Sequence, residues 1–153
     1  MKRLEFRTEL RSDAQTVWNT VITMNGIAEE MRPLVRMTAP EGVNDLRDTF
    51  NPDGSPMFTS RFLAFGKVPL GQTRLCFSEL SEEHTARRFG FVENSQMTGM
   101  RSWRHERVVA ANEAGSEVTD RLAFEPLFAP GVAKLAVARF FRHRHSRLKE
   151  MFG

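Results

Sequence analysis

The sequence predicts an α+β domain in which a curved antiparallel sheet of about seven strands wraps round a long C-terminal helix, with two short helices after strand one. Three observations carry this. Phe128–Phe152 runs without an internal proline and is opened by Ala129-Pro130-Gly131, as suits a helix start. At 100° per residue Ala133, Ala136, Val137, Phe140, Phe141, Leu148, Met151 and Phe152 share one side, with Lys134, Arg139, Arg142, Ser146 and Lys149 on the other. A helix of roughly 36 Å needs an apolar surface beneath it. Secondly, Leu4, Phe6, Thr8 and Leu10 alternate with Glu5, Arg7 and Glu9, the period of a half-buried strand. Thirdly, strand-like stretches separated by turn residues fill the middle of the chain. A length of 153 residues with 41% hydrophobic content suits a single domain, 1–153, with its own core.

Taken in order, Ser12 with Gln15 makes a capping box, and Ala14, Val17, Trp18, Val21 and Ile22 follow at helical spacing, predicting a helix over about Asp13–Thr23. Asn25 is placed to cap a second helix through Ile27, Ala28 and Met31, limited by Pro33. Thr38–Pro56 is rich in Pro, Gly, Asn and Asp; it reads as a long loop with a short strand near Asp48–Asn51, and is a candidate lid or entrance. Phe58–Gly66, Thr73–Leu80 and Thr85–Glu93 read as strands. A turn at Ser81–His84 would set Phe77 opposite Phe89 and Glu79 opposite Arg87.

Met100–Ala111 and Ser116–Glu125 flank Asn112-Glu113-Ala114-Gly115, a hairpin turn with glycine available for positive φ. Pairing Ala111 with Ser116 brings Arg107 opposite Asp120, Glu106 opposite Arg121 and Trp103 opposite Phe124, and a one-residue slip loses all three pairs. This register puts Arg101, Trp103, His105, Arg107 and Val109 on one side with Val118, Asp120, Leu122 and Phe124. The other side carries Ser102, Arg104, Glu106, Thr119 and Arg121, which belong in water, so the first set faces the helix. His105, Arg107 and Asp120 are thereby candidate catalytic residues, since burial beside a carboxylate tunes a histidine. Trp103, Leu122, Phe124, Arg101, Phe140 and Arg144 are candidate ligand-binding residues. Arg144 stands out because it breaks the apolar side of the long helix, and Glu29 or Glu30 is its expected acceptor. A structural histidine and a snorkelling Arg144 are the plainer alternatives.

The net charge of +3 leaves clustering as the only route to a nucleic-acid footprint. The one cluster, Arg139–Lys149, sits where the helix macrodipole already favours cations. The lone Cys76 excludes an internal disulfide and multi-cysteine zinc sites, and fits a reducing cytoplasm. Neither a leader-like apolar region nor a run near 18 apolar residues is present, so neither secretion nor membrane insertion is expected. The glycine-rich nucleotide motifs and the Gly-x-Ser-x-Gly hydrolase motif are absent.

The order of elements resembles the START-like (SRPBCC, Bet v 1-like) helix-grip superfamily over essentially the whole chain. Trp103-Arg104-His105-Glu106-Arg107, Val118-Thr119-Asp120-Arg121-Leu122 and Phe141-Arg142-His143-Arg144-His145 are similar to bacterial polyketide cyclase/dehydrase-like members. The resemblance implies a cavity between sheet and helix for a polyketide- or lipid-like molecule. It leaves open whether general acid/base chemistry cyclises or dehydrates it there or whether the protein is a non-catalytic carrier. The superfamily also includes iron-dependent oxygenase domains, but His143 and His145 point roughly 160° apart on a helix. No metal and no cofactor are therefore expected. The partners implied are a small hydrophobic ligand, with no nucleic acid, and a homodimer is compatible with the pattern.

Overall fold

The computed structural model describes residues 1–153. Its elements are β1 (Lys2–Leu10), α1 (Ala14–Val21), α2 (Met24–Met31), β2 (Val35–Met37), β3 (Phe58–Ala64), β4 (Val68–Leu75), β5 (Phe77–Glu83), β6 (Arg88–Asn94), β7 (Gln96–Met97), β8 (Met100–Asn112), β9 (Gly115–Pro126) and α3 (Pro130–Phe152). Seven of the strands have seven residues or more; β2 and β7 are short additions. They form one sheet in the order β1-β9-β8-β6-β5 and a second in the order β2-β3-β4-β7, both antiparallel. With α3 laid across β1 and β9 and against α2, this is the helix-grip arrangement. No helix is long and apolar enough to cross a membrane.

The β8–β9 register is the expected one: Trp103 faces Phe124, Arg107 faces Asp120 and Ala111 faces Ser116. Asn112 fixes the turn by accepting from the backbone N–H groups of Ala114 and Gly115. The main core gathers Trp18, Phe77, Phe89, Phe91 and the aliphatic residues of α1. A smaller cluster joins Trp103, Leu122, Phe124 and Phe141.

Several local expectations are corrected. Asp13, not Ser12, caps α1, accepting from the Thr16 N–H at 2.9 Å, because the Ser12 hydroxyl is engaged by the Phe152 carbonyl at the end of α3. Thr23 rather than Asn25 caps α2, through Gly26 N–H at 3.1 Å. The stretch near Asp48 is a single 3-10 turn, Leu46–Asp48, not a strand, since Asp45 caps it and ties Arg47 in place. Between β5 and β6 the turn falls at His84–Arg87, with Arg87 left-handed at φ 51°. Phe77 therefore faces Glu93, and Phe89 faces Glu82. The later turn sets this register, and a bulge between Phe77 and Glu79 moves the pairing of Phe77 by one residue; just before it the Cys76 N–H is taken by Ser95 Oγ. Phe77 recovers an aromatic partner by stacking on Phe91 at 4.5 Å. Finally, the opening two turns of α3 are largely uncovered: Val132 and Leu135 are 69% and 60% exposed, Ala136 is exposed where it lines the cavity, and Ala133 is half-buried.

Candidate functional site: a charged cluster beside an apolar cavity

Beneath α3 lies a cavity of about 840 Å³ lined by 29 residues, 20 of them hydrophobic. Ile27 and Met31 of α2, Phe62, Leu75, Phe77 and Phe91 of the sheets, and Val137, Phe140 and Phe141 of α3 supply its walls. The exposed lining residues Leu70, Thr98, Ala136 and Arg139 mark its mouth. The loop 38–57 is not that mouth: Leu46 lines the cavity but is itself buried, and backbone bonds from Leu46 to Ile22 and from Met24 to Asn44 pin the loop to the α1–α2 junction.

On one wall the β8–β9 register and the α3 spacing converge ionisable side chains. Asp120 is wholly buried and accepts four hydrogen bonds: Oδ1 from His105 Nε2 (2.6 Å) and Arg107 Nε (2.8 Å), Oδ2 from Arg107 Nη2 and His145 Nε2, both at 2.7 Å. These occupy the lone-pair capacity of a carboxylate. Arg107 also donates to Glu30 through Nη1 at 2.8 Å. Glu30, again fully buried, accepts from Arg144 Nε at 3.2 Å as well. The remaining ring nitrogen of His105 stands 3.5 Å from Glu93, which accepts from Ser95 Oγ at 2.6 Å, and that of His145 meets the Thr8 hydroxyl at 2.7 Å. Rings close round the cluster: Phe91 and Phe141 present edges to His105, and the Arg144 guanidinium lies 5.0 Å from the Phe141 centroid.

Burial opposes the charges on Asp120, Glu30, His105 and Arg107, yet the partners outweigh it. Desolvation would raise the Asp120 pKa, but the charges of Arg107 and His105 hold it well below the usual carboxylate range. Glu30 is likewise lowered, against desolvation, by Arg107 and Arg144. For His105 desolvation favours the neutral ring, while Asp120 and Glu93 together raise its pKa. Arg107, with two carboxylates on its fork, is raised too. His105 is thus held between two carboxylates, Asp120 on Nε2 and Glu93 on Nδ1, which favour its protonated form. Arg144 differs from Arg107. Its Nε and Nη2 share Glu30, while Nη1 has no protein acceptor and the side chain lines the cavity.

The sequence model of a family described as "Domain of unknown function (DUF8410)" matches residues 8–152. The chain belongs to the DUF8410 family. No curated protein matches it. Among solved structures, this DUF8410 chain is similar to protein CV1439 from Chromobacterium violaceum, with a TM-score of 0.70, 11% identity and coverage of 99% and 98% of the two chains. It is also similar to a START superfamily protein from Mycobacterium smegmatis, with a TM-score of 0.62, 11% identity and coverage of 98% and 96%. A third likeness is to the di-domain ARO/CYC BexL from the BE-7585A biosynthetic pathway, with a TM-score of 0.61 and 16% identity; 98% of this chain aligns with 46% of that one. At these identities the likeness is one of fold, START-like and helix-grip.

In the DUF8410 chain, Trp103, His105, Arg107, Phe140 and Arg144 all line the cavity, whereas Asp120, Leu122 and Phe124 do not. Asp120 lies behind His105 and Arg107, while Leu122 and Phe124 pack with Trp103 and Phe141. Arg101 is a correction: the register shift between Met100 and Ser102 turns it outward, 67% exposed and 3.5 Å from Glu125. Glu30 is the acceptor expected for Arg144. Glu93 and His145 were missed, although a signal existed for each. Glu93 continues the alternation of Phe89 and Phe91, and His145 falls between Phe141 and Leu148 at i+4 and i−3.

Proposed function

We propose that this protein is a hydrophobic-ligand binding or carrier protein, a single START-like domain over residues 1–153 that holds a lipid- or polyketide-like molecule under α3. The observation that carries the reading is a ligand-sized, mostly apolar cavity whose buried charged side chains, Glu93, His105, Arg107 and Arg144, belong to one cluster. The free edge of Arg144 orients the ligand by donating to an acceptor on its polar end. A cytoplasmic setting suits the lone Cys76. Binding is favoured over chemistry because Asp120 has no lone pair left for a substrate proton and His105 is engaged at both nitrogens. Cyclisation or dehydration is the second reading. It rests on the raised His105 pKa and on the reach of His105 and Glu93 into the cavity, which together describe a proton donor.

Titration with the neutral fluorescent probe N-phenyl-1-naphthylamine tests the first reading. Saturable binding to wild type, abolished in the cavity-filling variant Val137→Trp, is the expected result; no saturable binding refutes it. A medium-chain carboxylate should displace the probe about tenfold less well from Arg144→Met, the loss of a charge-assisted hydrogen bond. Turnover of a polyketide substrate that vanishes in His105→Gln while probe affinity stays would favour the enzyme instead.

A further inference from the structure

The start of α3 carries an anomaly that the cavity does not absorb. Pro130–Ala138 is apolar all round except for Lys134, yet most of it stands in water, whereas a helix of that composition ordinarily lies inside a protein or a bilayer. Phe128 is 78% exposed beside it, and Phe65, Val68 and Leu70 at the β3–β4 hairpin are each more than half exposed. These segments are neighbours. Leu127 N–H donates to the Gly99 carbonyl at 2.9 Å, and Thr98 bonds to Gln72 at the foot of the hairpin. Leu70 and Ala136, on opposite sides, both line the cavity mouth. The apolar tips therefore form a rim round the opening.

The charge on this rim has one sign. Residues 65–71, 98–101 and 125–139 contain Lys67, Arg101, Lys134 and Arg139 against Glu125 alone, and Glu125 is paired with Arg101. The rest of the chain holds eighteen basic and eighteen acidic residues, so the whole net charge of +3 resides at the mouth. Apolar tips interleaved with long cationic side chains match the interface of an anionic bilayer, where the tips enter the headgroup boundary and the cations meet lipid phosphates. A second copy of the chain fits worse, since it would bring two faces of the same charge together.

We propose that the rim formed by Phe65–Leu70, Leu127–Phe128 and Val132–Leu135 adsorbs the protein reversibly to an anionic membrane surface, with the cavity mouth turned toward the lipid. A hydrophobic ligand then passes between bilayer and cavity without crossing open water. The docking surface stands on its own residues, whatever the cavity holds.

Co-sedimentation of the full chain with phosphatidylcholine vesicles, with and without phosphatidylglycerol, tests it. Binding should require phosphatidylglycerol and weaken as salt is added. Lys67→Gln and Lys134→Gln should each weaken it about fivefold, and Phe128→Ser with Leu135→Ser about tenfold or more. None of these side chains lines the cavity, so binding of N-phenyl-1-naphthylamine in the same variants reports intact folding. Failure to sediment with anionic vesicles, or sedimentation unchanged in the variants, overturns the proposal. So does a concentration-dependent dimer in sedimentation velocity that Leu135→Ser dissolves, because the rim is then an interface between copies.

Discussion

Replacing Asp120 with Asn keeps the shape of the side chain and removes its charge. The carboxylate accepts from His105, twice from Arg107 and from His145; an amide offers one oxygen and sets its NH2 against donors that already point inward. Arg107 is shared between Asp120 and Glu30, and Glu30 is shared in turn with Arg144, so the variant leaves two arginines on one carboxylate where Arg107 is only 1% exposed. Removing one partner of a buried ion pair costs about 3–5 kcal/mol, against a total stability of about 5–15 kcal/mol for a domain. At a urea dependence of about 2 kcal/mol/M this lowers the midpoint by about 2 M with an unchanged slope. Urea unfolding followed by the fluorescence of buried Trp18 and Trp103 measures it. The loss should shrink as pH rises through the folded-state pKa of His105, since a neutral ring no longer draws stability from Asp120. A loss below about 1 kcal/mol, or one independent of pH, would refute the view of Asp120 as the charge that holds the cluster together.

Thermal unfolding over a pH series checks the other half of that linkage: the depressed pKa values of Glu30 and Asp120 give stability that is present above the ordinary carboxylate range near pH 4 and lost as pH falls below it. The raised His105 pKa gives stability present below about pH 6.5 and lost as pH rises through the folded value. Gly26→Ala should cost about 3 kcal/mol in urea unfolding, because an added Cβ meets the Thr20 carbonyl oxygen at 1.9 Å. Arg101→Ala should change stability by less than about 0.5 kcal/mol and leave probe affinity as in wild type, as suits a solvent-facing side chain.

The architecture was legible because its strongest signals were local. Period-2 alternation gave β1, and one register satisfied three pairs at once in the β8–β9 hairpin. His105, Arg107 and Asp120 came with that register. Arg144 came from the opposite logic, a charge interrupting an apolar side. What escaped the sequence was set by distant partners. The β5–β6 register turned on a left-handed Arg87 in the turn and a bulge between Phe77 and Glu79, neither of which leaves a compositional mark. Ser12 looked like a cap, but Phe152, 140 residues away, claims its hydroxyl. The outward turn of Arg101 follows from a register shift at Met100–Ser102 that alternation alone cannot locate.

A helix spanning a ligand-sized cavity gives up the packing that normally fixes a helix to a sheet, and α3 replaces it with polar clamps. His143 Nε2 donates to the Arg32 carbonyl at 2.6 Å, Arg147 Nε to the Glu29 carbonyl at 2.8 Å and Lys149 Nζ to the Glu9 carbonyl at 2.9 Å, while Arg144 and His145 enter the buried cluster. All of these lie beyond Arg142. The cluster itself ties α2, β6, β8, β9 and α3 through one network of paired buried charges, so the cavity wall is held without a filled interior. The first turns of α3 make none of these bonds. The Leu127–Gly99 backbone bond holds the chain just before them, and most of their side chains stand exposed at the mouth while the clamped end keeps the site in shape.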